Sequence, residues 1–91
     1  MCLFRLGQII LTNGACKILE TCGKSPFEYL NYHSSGYWGD VRKVDWILND
    51  HALLQNQRIT SVYFINNENI LSISTDSDRK YTVIGIKNRK N

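Results

Sequence analysis

The spacing of the apolar residues changes once along this chain, near Arg58, and that change limits the fold more than any single motif does. Before it, apolar residues recur at helical intervals. After it, β-branched and aromatic residues run in short stretches broken by polar turns. Helices followed by strands within 91 residues predict one α+β domain, 1–91, with the helices covering one face of a sheet. A chain this short has room for one core and one modest surface site, but not for a deep pocket with a lid.

The elements can be placed from their punctuation. Leu3 to Leu11 reads as a strand running into a turn or helix cap at Thr12-Asn13-Gly14. Ala15, Ile18, Leu19 and Cys22 then form one helical stripe, with Gly23 placed to end it. Ser25-Pro26-Phe27-Glu28 predicts a second helix start, with Ser25 and Glu28 as a capping box and Pro26 at the first helical position. That helix is expected to bury Phe27 and Leu30, with Tyr29 or Asn31 alongside, and to stop around Ser34-Ser35-Gly36. Asp40 is the expected N-cap of a third helix. Its apolar stripe is Val41, Val44, Leu48 and Ala52, widened by Trp46, Ile47, Leu53 and Leu54, and it fades at Gln55-Asn56-Gln57. Arg58 to Ile65, Ile70 to Thr75 and Lys80 to Ile86 are strands joined by turns of about four residues, which predicts a C-terminal three-stranded antiparallel meander. The first strand can join its edge.

The residues that carry chemistry are sparse. No Ser elbow, Cys–His neighbour pair, HExxH run or phosphate loop occurs. Cys2, Cys16 and Cys22 have no zinc or redox spacing and read as small apolar residues in a reducing compartment. No metal or cofactor is expected, and no apolar run is long enough for a signal peptide or membrane span, so the cytoplasm is the expected location. Asp76, Asp78 and Arg79 read as turn chemistry. Asp45 and Asn49, four apart, share a helical face near the apolar stripe, where they must bond neighbouring backbone or each other, or serve a ligand. His33 stands alone in sequence, and Trp38 either fills the core or anchors a partner. Tyr29, Tyr32, Tyr37, Trp38 and Trp46 cannot all be buried, and this aromatic cluster is the strongest sign of an interaction face.

The order Leu6-Gly7-Gln8, Thr12 with Gly14-Ala15, Ser25-Pro26, His33 with Ser35-Gly36, Trp38-Gly39-Asp40, then Asp45, Asn49, Arg58, Tyr63, Asp78-Arg79 and Thr82 resembles a family of small proteins carried on bacterial plasmids, integrative elements and phages. Arg42-Lys43 depart from its acidic start to the third helix, and the basic end departs from its Pro-acidic-Tyr finish. The resemblance implies a small α+β protein of a mobile element. By analogy with other such proteins, it implies an antagonist of a host defence complex, such as an anti-CRISPR or anti-restriction protein.

Three functions are therefore carried forward. The first is a non-enzymatic binding protein for a host protein complex, contacting it through Tyr29, His33, Tyr37, Trp38, Asp40, Asp45 and Asn49. The second is a small nucleic-acid-binding regulator using Arg42, Lys43, Lys87, Arg89 and Lys90, in keeping with a net charge of +3 and a tail expected to fray from Lys87 onward. The third is an enzyme whose site forms on oligomerisation from His33, Asp45 and Asn49.

Overall fold

The computed structural model describes residues 2–89. The order of elements is β1 (Gln8–Leu11), α1 (Asn13–Thr21), α2 (Pro26–Ser34), α3 (Lys43–Gln55), β2 (Ile59–Phe64), β3 (Asn69–Thr75) and β4 (Tyr81–Asn88). The fold is α+β, with three helices and one four-stranded mixed sheet in the order β1-β4-β3-β2.

The sheet corrects the expected three-stranded antiparallel meander. β2, β3 and β4 pair antiparallel in sequence order, but β1 adds a fourth strand parallel to β4, with Gln8 opposite Tyr81 and Leu11 opposite Ile84. The strand is also shorter than Leu3 to Leu11. Gly7, at φ +66°, turns the chain into β1 against the backbone of Lys80, where a Cβ would collide. At the other end, β4 continues through Lys87 and Asn88, and Arg89 N–H donates to Glu68 O. Fraying therefore does not begin at Lys87, and Lys90 lies outside the described residues.

One face of the sheet carries Ile59, Ser61, Tyr63, Leu71, Ile73, Thr75, Thr82 and Ile84, all buried. Ala15 and Leu19 of α1 and Tyr29 and Leu30 of α2 pack on it. A second cluster joins Trp38, Ala52 of α3 and Ile59. The opposite face is bare and leaves Ile10, Phe64, Tyr81 and Val83 exposed.

Helix α1 follows its sequence reading. Thr12 caps its start, and Gly23, at φ +66°, ends it in a Schellman motif, with Gly23 N–H on Glu20 O and Lys24 N–H on Leu19 O. Helix α2 begins with Pro26, but Ser25 accepts from Phe27 N–H and not Glu28, so the capping box is not made. Phe27, expected in the core, is 72% exposed, because Tyr29, Leu30 and His33 define the buried side of this helix.

Helix α3 turns a different face inward from the one its apolar residues suggest. Asn49 and Ala52 are buried, while Val44, Ile47, Leu48 and Leu54 are exposed, Leu54 at 81%. Two interactions choose that face. Trp38 is fully buried against Ala52 and donates its indole N–H to Asp50 Oδ1, and the Asn49 amide bonds the backbone of Thr60. Asp40 is not its N-cap, since the helix starts at Lys43 after Arg42 and has no side-chain cap.

Candidate functional site

Strand β2 is a sheet edge, and the segment before α3 covers it. Trp38 O accepts from Val62 N–H, and Asp40 N–H donates to Val62 O at 2.6 Å. The Asp40 carboxylate takes Phe64 N–H at 2.9 Å, while Asn49 takes both backbone groups of Thr60. The outward backbone groups of Thr60 and Val62 and the N–H of Phe64 are thus occupied, which hinders strand addition at this edge. Gly39 makes the close approach possible: at φ +81°, any Cβ would collide with Val62 O and the Tyr63 ring.

The same covering segment builds an open cavity of about 390 Å³, lined by Tyr29, Tyr32, Tyr37, Asp40, Tyr63 and Phe64. Tyr29 and Tyr32 come from successive turns of α2. Tyr37 is brought back onto them by the helix ending, where Gly36 at φ +85° closes a second Schellman motif, with Gly36 N–H on His33 O and Tyr37 N–H on Tyr32 O. The Tyr32 and Tyr37 rings then meet edge to face at 5.4 Å. Tyr63 forms the floor, 5.3 Å from Tyr29 between centroids, and its hydroxyl donates to Tyr37 O at 2.7 Å. Tyr29 and Tyr63 are buried, whereas Tyr32, Tyr37 and Phe64 expose ring surface.

The electrostatics of this cavity are one-sided. Burial raises the Tyr63 phenol well above its ordinary value, and the hydrogen bond to Glu28 raises that of Tyr32, so both stay neutral phenols. Among the described residues, Asp40 is the only charged one in the lining. Its Oδ2 is held by Phe64 N–H, and its Oδ1 takes no hydrogen bond from the described residues. On the Phe64 ring lies the guanidinium of Arg89, 4.1 Å from the centroid.

Deeper along the α2–β2 contact runs a buried polar chain. His33 bonds Ser61 Oγ through Nδ1 at 2.5 Å and Thr75 Oγ1 through Nε2 at 2.8 Å. Thr75 bonds Thr82 at 2.8 Å, and the Thr82 hydroxyl donates to Leu6 O at 2.6 Å. Because Thr82 gives its only proton to Leu6, Thr75 must donate to Thr82, and His33 must donate through Nε2 to Thr75. Nδ1 is then the acceptor of the Ser61 proton. The imidazole is neutral and saturated. Burial, with help from the Arg79 cation, lowers its pKa to about 4. Ser61 and His33 resemble a nucleophile and its base, but both are fully buried and the serine proton is committed.

The seven residues expected to contact a partner are distributed over three places. Tyr29, Tyr37 and Asp40 line the tyrosine cavity. Asp45 and Asn49 border a separate groove of about 330 Å³ between α3 and β2, with Val41, Leu48, Thr60 and Val62. His33 and Trp38 are fully buried and are not available on the folded surface. Of the basic residues, Arg42 is held by Asp45 at 2.9 Å and Arg89 lies on Phe64. His33, Asp45 and Asn49 are not brought to one cavity. Tyr63 escaped sequence reasoning because its partners on α2 lie some thirty residues away; alternation in β2 placed it on the core side but gave no sign of what it meets.

Compared with protein families, curated proteins and solved structures, the chain matches none of them. No helix among the described residues is long and apolar enough to cross a membrane, and no cluster of metal-binding side chains occurs among them.

Proposed function

We propose that this chain acts by binding a protein and not by catalysis, with the tyrosine cavity as its contact site. One observation carries the reading: four tyrosine rings and a carboxylate, drawn from α2, the edge-covering segment and β2, converge on one open cavity. Tyrosine supplies large contact area at low entropic cost, and such rings concentrate at binding hot spots. The resemblance to proteins of mobile elements makes a host defence complex the partner of choice, with the chain occupying a surface that the complex needs.

The test is capture from a host bacterial lysate by tagged protein, with nuclease present. A stoichiometric protein partner, lost when Tyr32 and Tyr37 are both changed to Ala, is the expected result. Recovery of no protein overturns the reading.

A second reading, nucleic-acid binding, has one observation in its favour. None of the four strands contains Asp or Glu, and on the bare face Arg58 and Lys87 flank a shallow depression of about 150 Å³ lined by Ser72, Ser74 and Gly85. It requires nuclease-sensitive capture and binding that falls steeply with salt.

A further inference from the structure

We propose that the tyrosine cavity recognises a cation, specifically an arginine side chain presented by the protein partner. This rests on the binding reading above and names the chemistry of the contact. Aromatic faces carry the negative lobe of the ring quadrupole, so rings around one space attract a cation and favour it over a neutral group. Here Tyr32 and Tyr37 present half-open rings around a floor of Tyr29 and Tyr63. Among the described residues the only formal charge in the lining is negative, and Asp40 Oδ1 takes no hydrogen bond from them. Phenols that stay protonated keep the walls neutral, so the carboxylate alone sets the sign. A space of about 390 Å³ suits a side-chain head group.

Arginine is favoured over lysine by the shape of its head group. A planar guanidinium can stack on a tyrosine and still point a donor in its own plane at Asp40, whereas an ammonium has no flat face to stack. The arrangement explains why a basic chain places a carboxylate among its tyrosines. Asp40 is fixed by the β2 edge and therefore stands preorganised, so little ordering is required on binding.

The experiment uses the intact chain and NMR titration of backbone amides and tyrosine rings. The probes are N-acetyl-arginine amide, its neutral isostere N-acetyl-citrulline amide, N-acetyl-lysine amide and choline. The expected result is saturable binding of the arginine probe with shifts confined to Tyr32, Tyr37, Asp40, Tyr63 and Phe64. Lysine should bind more weakly, and citrulline at least roughly tenfold more weakly. Asp40→Asn keeps an acceptor for Phe64 N–H while removing the charge, and should weaken the arginine probe by about tenfold. Equal binding of citrulline, shifts elsewhere, or no saturable shift overturns the proposal. Tighter binding of choline also overturns it, by reassigning the cavity to a free organic cation. The probe comparison needs only the natural chain, so a variant that misfolds does not blunt the test. Lysate capture separates the two readings: a partner retained equally by natural chain and Asp40→Asn removes the cation but leaves protein binding. Probe binding without any captured partner does the reverse.

Discussion

Helix α2 and strand β2 meet twice, and the two meetings are built on opposite terms. At one, His33 and Ser61 enter a chain in which every proton has an acceptor, and the chain is sealed from water. At the other, one turn and one strand repeat away, Tyr29, Tyr32 and Tyr63 gather rings whose faces are not all covered. The first contact fixes how α2 lies on the sheet. The second uses that fixed position to hold an unsatisfied surface open. Saturation here marks scaffold, and incomplete coverage marks the proposed binding face, although both are made from the same two elements.

The contrast can be broken most forcefully at His33. Leucine there leaves the buried Ser61 and Thr75 hydroxyls without their partner, and urea denaturation should show a loss of about 3 kcal/mol. The pH dependence sharpens the same point. The folded pKa, about 4, lies below the ordinary value of 6.5, so the unfolded chain takes up the proton first. Stability supplied by the neutral imidazole is complete above pH 6.5, falls as the pH drops toward 4, and levels off below. Over that window the urea midpoint should decline by the equivalent of no more than roughly 3 kcal/mol, and His33→Leu should remove this part of the slope.

Arg79 comes next. It donates to Gln57 O and Ala52 O at the end of α3 and lies over Phe4. Arg79→Ala should cost about 1–2 kcal/mol in the same measurement. Tyr37→Ala should reverse the pattern, with a loss of about 1 kcal/mol or less but loss of saturable arginine-probe binding by NMR. Smallest of all, Arg42→Ala breaks an exposed pair with Asp45 and should leave the urea midpoint unchanged within error.

Legibility followed sequence distance. Helix α1 could be read fully because Thr12, the stripe and Gly23 all act within one helix. Helix α3 could not: its face is chosen by Trp38 and by the Thr60 backbone, both outside it, so the polar Asn49 goes in and Leu48 stays out. Asp40 was misplaced for a similar reason, since a residue three before the helix start serves a strand more than twenty residues later. The aromatic crowd from Tyr29 to Tyr37 was visible as a surface. Its floor, Tyr63, was visible only as a strand residue, and Arg79 only as a turn.

The parallel pairing of β1 with β4 has a consequence for how the chain comes to order. Gln8 pairs with Tyr81 across the three helices and the β2–β3 hairpin, so β1 waits for β4 before the sheet can close. The Thr82 hydroxyl that ends the His33 chain on Leu6 O belongs to that same late strand. Emergence of β4 during synthesis therefore completes this sheet and, in the same event, supplies the Thr82 hydroxyl that carries the buried histidine's hydrogen-bond chain to Leu6 O.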